Sequence, residues 1–243
     1  MKRRAWLALL FAASAHAQTD PRRSGLDFMT PALQALQRDD TQNPAVLWLK
    51  DGEQRFGTAC SACHTPQSLR GAAARYPAFD ALLGKPVTLS QRINLCRQRH
   101  TLAPAYALEG SQLLGLEAYV GSLSRGLPIA PPADPRLTSF QRSGQTLYEQ
   151  RIGQLDLSCA QCHDQHAGGR LAGSLIPQAH PTGYPIYRLE WQGMGSLQRR
   201  LRGCMTGVRS QPDAPDADEY TALELHLKQR AAGMAIDTPA VRP

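Results

Sequence analysis

Two five-residue runs, Cys60-Ser61-Ala62-Cys63-His64 and Cys159-Ala160-Gln161-Cys162-His163, constrain this 243-residue chain more than any other feature in it. Two thiols and an imidazole at that spacing are what covalent attachment of a c-type haem requires. The cysteines bond the vinyl groups, and the histidine becomes an axial iron ligand. A lone Cys-x-x-Cys also serves redox exchange or half of a zinc site. Two copies, each closed by histidine, point to a dihaem cytochrome c. A porphyrin in each half supplies much of the apolar core, so two small, mainly α-helical domains suffice.

The chain opens Met1-Lys2-Arg3-Arg4, continues through the apolar segment Ala5 to Ala13 and reaches Ala15-His16-Ala17. These are the three parts of a secretory signal peptide, with cleavage expected after Ala17. The apolar run is about half of the roughly twenty residues a membrane-spanning helix needs, so no span is expected. Export to the periplasm suits thioether attachment of haem on the oxidising side of the membrane. Loss of Lys2, Arg3 and Arg4 takes the formal charge from +7 to +4, and aromatics are only 6% of the chain. That is not the dense, aromatic-interleaved basic stripe of a nucleic-acid binder.

The remaining residues form an internal repeat. Gly52-Glu53-Gln54-Arg55-Phe56 ahead of the first motif is echoed by Gly144-Gln145-Thr146-Leu147-Tyr148 ahead of the second. Arg92-Ile93-Asn94-Leu95-Cys96 is echoed by Arg200-Leu201-Arg202-Gly203-Cys204, and Leu116 to Val120 by Leu223 to Leu227. Apolar spacing predicts helices over Pro44–Phe56 and Ser111–Leu123. Residues 127–135 carry four prolines and read as a stiff, extended linker. The expected organisation is a leader (1–17), a first haem domain (18–133) and a second haem domain (134–243). His64 to Cys96 is 32 residues and His163 to Cys204 is 41, so the second domain carries an insertion there.

Haem attachment consumes four of the six cysteines. In an exported protein, Cys96 and Cys204 could form a disulfide. Their equivalent positions argue instead that each serves its own half as an axial ligand, opposite His64 and His163 respectively. His100 is the competing ligand in the first half; Met194, Met205, His166 and His180 compete in the second.

At Arg92 to His100, and again from Tyr184-Pro185-Ile186-Tyr187-Arg188 through Gly195-Ser196-Leu197-Gln198-Arg199-Arg200 to Cys204 and Val208-Arg209, the chain resembles the SoxA family. These are the dihaem subunits of the periplasmic thiosulfate-oxidising complex, L-cysteine S-thiosulfotransferases. The resemblance implies two covalent haem c groups with histidine and cysteine axial ligands, His64 with Cys96 and His163 with Cys204. It implies that Cys204 is also catalytic, as a persulfide, and that Arg200 binds thiosulfate. SoxX, a monohaem cytochrome c, is the implied partner, the SoxYZ carrier cysteine the acceptor, and cytochrome c the electron sink. Arg200 and Cys204 share one helix face if residues 196–204 are helical. Arg92 holds the equivalent place before Cys96, so a structural or propionate-binding role for both arginines is the competing reading, with Arg209 the alternative substrate ligand.

Intact mass spectrometry of the exported protein should find a chain starting near Gln18 with two haems, on Cys60/Cys63 and Cys159/Cys162. A single haem with a Cys60–Cys63 disulfide would remove the first half from the dihaem class.

Overall fold

The structure, a computed structural model, describes residues 20–243; the expected leader lies outside the described residues. The N-terminal segment contributes α1 (Pro31–Arg38), with Thr30 as its N-cap and proline in its first turn. In the first half, α2 (Ala45–Ala59) runs directly into the first motif, and Asn43 Oδ1 accepts from the Ala45 amide at 2.9 Å to start it. A short antiparallel hairpin follows, β1 (Ala78–Asp80) with β2 (Lys85–Val87), leading to α3 (Leu89–His100). Thr88 and Gln91 form a reciprocal capping box on α3. The closing helix α4 (Ser111–Ser122) buries eight of its residues, among them Leu113, Leu114 and Leu116. Each such leucine contributes about 1.5–3 kcal/mol.

The second half repeats this order. It has α5 (Thr138–Glu149), the hairpin β3 (Arg170–Leu171) and β4 (Ser174–Leu175), then β5 (Ile186–Arg188) and β6 (Gly193–Gly195). The helices α6 (Leu197–Gly207) and α7 (Asp218–Arg230) follow, with the terminal strand β7 (Ala240–Arg242) parallel to β5. In α7, Asp218 and Glu219 occupy the first turn and Lys228 and Arg230 the last, which suits the helix dipole. The insertion expected between His163 and Cys204 is the β3–β4 hairpin. A second, shorter one precedes the motif, because α5 stops at Glu149 and residues 150–158 intervene. Their amides at Gln154 and Leu155 donate to the carbonyls of Arg209 and Val208, propping the end of α6.

The repeated glycines have one physical explanation. A Cβ on Gly52 would lie 1.9 Å from the Gly115 carbonyl oxygen, and one on Gly144 would lie 2.0 Å from that of Ala222. The pairs α2/α4 and α5/α7 thus touch backbone to backbone. One turn on, an aromatic contact completes each crossing: Phe56 to Tyr119 at 5.4 Å between ring centroids, and Tyr148 to His226 at 5.2 Å.

The halves share a core. Met194 on β6, 2% exposed, packs with Ala45, Leu114 and Ala118 of the first half, while Ala74, Ile129, Ala231 and Ile236 form a second bridge. The proline-rich segment carries neither helix nor named strand over residues 129–134, and its first residues are pinned. Ile129 exchanges backbone hydrogen bonds with Gly233 and Met234, and the Ala130 amide donates to the Ala74 carbonyl. The termini also cross over: Arg22 donates to the carbonyls of Arg230 and Ala232, and Asn43 to that of Pro239. Two glutamates related by the repeat, Glu117 and Glu224, are half-buried near Lys228, and desolvation raises their carboxyls to about 8 and about 7.

Gly52→Ala should destabilise the protein by about 1–3 kcal/mol, since the new methyl meets backbone that cannot move aside. Gly57→Ala, on the same helix with nothing within 4 Å, should stabilise by about 0.5–1 kcal/mol. Denaturant unfolding of the holoprotein compares the two; the same sign for both would refute this account of the crossing.

Candidate functional sites: two cysteine–histidine cavities

Each motif contributes its histidine to a cavity that the cysteine-bearing helix of the same half also lines. In the first, Cys60, Cys63 and His64 face Cys96 across a space of about 440 Å³ that is otherwise largely apolar, with Leu69, Ile93, Leu116 and Val120 among its walls. In the second, His163 faces Cys204 and Arg200 across about 160 Å³. Ser174, Leu175 and Pro177 help to close this one, which ties its smaller size to the inserted hairpin.

The local chain sets the donor geometry. At the first motif, the Cys60 amide donates to the Phe56 carbonyl and the His64 amide to the Cys60 carbonyl, so α2 tightens into a final turn carrying all three groups. At the second, Ser158 and Gln161 cap each other's amides, and residues Gln161–Gln165 make one wide π turn. Asp164 accepts from Tyr148 Oη at 3.0 Å and from the Arg230 guanidinium at 2.5 Å, which anchors that turn to α5 and α7. His163 Nδ1 lies 2.6 Å from the Pro177 carbonyl oxygen. A carbonyl only accepts, so Nδ1 carries the proton and Nε2 presents its lone pair to the cavity, the form a metal needs. Burial lowers the pKa of His163, which also favours the neutral ring.

Cys96 and Cys204 both occupy the eighth residue of their helices, and Arg92 and Arg200 the fourth. All six cysteines are free, and no disulfide joins Cys96 to Cys204. Each belongs with its own motif. Burial and then Cys96 raise the Cys60 thiol, while burial and then Cys204 raise the Cys159 thiol to about 11. Two thiols and an imidazole against a further thiol, with largely apolar walls, fit a covalently attached haem in the first cavity; the same donor types recur in the second, where His163 and Cys204 line the space and Cys159 packs against the core cluster of Tyr148 and Leu197.

The competing ligands have different surroundings. Met194 is in the core between the halves, and the Met205 sulfur accepts from Tyr220 Oη at 3.6 Å. His166 is exposed on a loop. His180 lines the second cavity, and its Nδ1 engages the Arg23 carbonyl at 3.0 Å, the same kind of contact that orients His163. His100 lies at the C-terminus of α3, exposed at the rim of the first cavity. The basic run on α6 is sorted by helical period. Arg200 and Cys204 face the second cavity, Arg199 stacks on Trp191 with its guanidinium 4.0 Å from the ring centroid, and Arg202 lines a separate cavity between the halves. Arg209, with φ at +58°, is not among the residues lining the second cavity.

Arg92 and Arg200 differ sharply despite their matched positions. Arg92 pairs with Asp80 at 2.7 Å; Asp80 is 3% exposed and is gripped at 2.7 Å by Arg99 as well. Among the described residues, no ion pair involves Arg200. The sequence repeat gave no warning of this, because the deciding residue is Asp80, outside the echoed runs.

The SoxA/TsdA cytochrome c domain family matches this chain twice, over residues 45–129 and 143–236. The L-cysteine S-thiosulfotransferase subunit SoxA of Rhodovulum sulfidophilum is 34% identical over 232 residues, covering 92% of this chain and 81% of the relative. The subunit of the same name from Allochromatium vinosum is 35% identical over 172 residues, covering 69% of this chain and 61% of the relative. The crystal structure of SoxXA from P. pantotrophus aligns with a TM-score of 0.87 at 28% identity, covering 91% of this chain and 87% of that one.

The Arg99 and Arg92 guanidinia hold the Asp80 carboxyl well below the usual carboxylate range, with Arg99 the larger cause and burial opposing. A depressed folded-state pKa means that stability is present above the ordinary value of 3.8 and lost as pH falls below it. Asp80→Asn should therefore destabilise the first half at neutral pH, and the difference from wild type should shrink as pH falls through 4 towards 2. Chemical denaturation across that range checks it; a pH-independent difference would contradict the ion-pair account.

Proposed function

This chain belongs to the SoxA family of c-type cytochromes, and on that premise we propose that it is the L-cysteine S-thiosulfotransferase subunit that joins thiosulfate to a carrier cysteine. The observation that supports this best is the pairing of Arg200 and Cys204 on one face of α6, lining the cavity that His163 lines, with Arg200 free of any carboxylate partner. The chain would carry two haem c groups, through Cys60 and Cys63 with His64 and Cys96 as ligands, and through Cys159 and Cys162 with His163 and Cys204. The halves would divide near residue 134 within an exported protein. Among the described residues no helix is long and apolar enough to cross a membrane. A SoxX-type monohaem cytochrome c would be its partner and the SoxYZ carrier its co-substrate.

In the overall reaction a new sulfur–sulfur bond joins the outer sulfur of thiosulfate to the carrier's cysteine sulfur. The carrier thiol gives up its proton, and two electrons leave for cytochrome c. A haem held by the second motif would supply a one-electron acceptor. The chain's own residues do the rest. Arg200 holds the sulfonate end of thiosulfate, offering a planar fork that can donate to two oxygens. Cys204 can carry a sulfane sulfur as a persulfide and pass it on by exchange, which a thioether cannot do. Pro177, through the proton on His163 Nδ1, keeps the imidazole oriented.

Cys204→Ala and Cys204→Met should retain both haems yet lose thiosulfate-dependent loading of the carrier cysteine, read by intact mass of the carrier. Mass spectrometry of the wild-type Cys204 peptide should find a fraction heavier by one sulfur. Arg200→Ala should weaken thiosulfate use by about 10–100-fold with haem spectra unchanged, and Arg200→Lys should restore it only in part. Full carrier loading by the Cys204 variants would make the protein a relay cytochrome.

A further inference from the structure

Between Tyr76 and Cys96, and between Tyr184 and Cys204, the two halves run in step without a gap. Each stretch is Tyr-Pro, a three-residue strand, a second strand, a hydroxyl N-cap, and a helix with arginine fourth and cysteine eighth. At the last residue of the first strand, this register sets Asp80 against Arg188. In the first half the position holds the carboxylate that neutralises Arg92. In the second it holds another guanidinium, and the residue matching Arg99 is Gly207, so the whole internal ion-pair cluster is gone.

A third arginine joins them. Arg242 on β7 stands directly across from Arg188 in the parallel register, and Arg188, Arg200 and Arg242 all line the cavity shared by His163 and Cys204. Their counter-charges lie to one side. Arg188 contacts Glu190 at 2.6 Å, but that side chain is 64% exposed and does not line the cavity. Arg242 has Asp237 at 3.6 Å and also donates to Gln37 and to the Val241 carbonyl. Arg188 Nε is buried with no partner. Bringing three guanidinia to one partly desolvated cavity is unfavourable unless an anion completes the site. Burial and then Arg200 lower the pKa of Arg188, the sign expected for a cation lacking full compensation.

We infer that Arg188, with Arg200 and Arg242, forms an oxyanion-binding site in the second cavity, created by the reversal of the Asp80 position from carboxylate to guanidinium. Its ligand is an oxygen-bearing monovalent or divalent anionic group, for which two sources exist: the sulfonate of thiosulfate, resting on the function proposed above, and a propionate of the haem held in that cavity. Arg188 is accordingly an anion ligand in its own right, and it decides whether Arg200 is available to the same anion or is consumed internally as Arg92 is.

Two variants of the holoprotein, with its SoxX-type partner bound, test this. Arg188→Asp rebuilds the first-half arrangement and should capture Arg200; Arg188→Gln removes only the charge. Two quantities are read without the carrier protein, so that no turnover occurs. These are the affinity for sodium thiosulfate at fixed ionic strength, by calorimetry, and the midpoint potentials of the haems. A fall in thiosulfate affinity of about tenfold for Arg188→Gln, and more for Arg188→Asp, with potentials unchanged, identifies the sulfonate as the ligand. A lowered potential for the second haem with thiosulfate affinity unchanged identifies the propionate. If neither quantity moves in Arg188→Gln with both haems attached, the inference is overturned, whatever the fate of the aspartate variant. Carrier loading by the Cys204 variants is a separate readout, so the proposed reaction can fail while this anion site stands.

Discussion

The backbone contact of Gly52 with Gly115, and of Gly144 with Ala222, sets the frame on which both cavities depend. Glycine at the crossing lets two helices meet without intervening side chains, and the ring pair one turn on fixes how they splay. Because α2 continues into the first motif, that crossing also fixes where Cys60, Cys63 and His64 point. In the second half the link is less direct. α5 stops short, and Tyr148 and Arg230 reach from the crossed pair to Asp164, holding the motif turn by hydrogen bonds where the first half uses helix continuity. The two routes deliver the same donor set to equivalent walls.

On this common frame the two sites diverge through charge. Capped by Thr88 and by Ser196, α3 and α6 present arginine and cysteine to their cavities at identical helical positions. The first half then encloses its arginine in an ion pair with a nearly fully buried aspartate, which leaves that guanidinium no open charge to offer an anion. The second half leaves its arginine open beside two others. Helix geometry and the cysteine are shared, so the difference in chemistry rests on what the adjoining strands carry at one position. The halves do not act as beads on a string either. Met194 and Ile129 sit in shared core, the segments near residues 22 and 239 pack on the far half, and the start of the proline-rich segment is held by backbone hydrogen bonds at Leu127, Ile129 and Ala130.

Much of this was legible in the sequence because it is encoded locally or by repetition. The haem motifs are contiguous, so their chemistry needs no tertiary context. The helices around Pro44–Phe56 and Ser111–Leu123 follow from apolar period and are found at Ala45–Ala59 and Ser111–Ser122, while the helix that a shared face for Arg200 and Cys204 required over 196–204 is found at Leu197–Gly207. The echo of Gly52 in Gly144 marked a shared constraint before its nature as a helix crossing was visible. The placement of Arg200 and Cys204 on one face follows from 3.6 residues per turn alone.

Tertiary structure alone decided which arginine is free. Arg92 and Arg200 look alike in their echoed runs, and only the fold brings Asp80 from a strand twelve residues away onto one and Arg188 onto the other, with Arg242 arriving from the far end of the chain. It also decided the place of Met194, which has the chemistry of an axial ligand but which its strand turns into the core between the halves. The Pro177 carbonyl that sets the His163 tautomer carries no sequence signal, since any residue has a carbonyl and only chain geometry aims it. A sequence states which groups are available and how they recur. Pairing a charge, or leaving it open, depends on distances between segments that local periodicity does not encode.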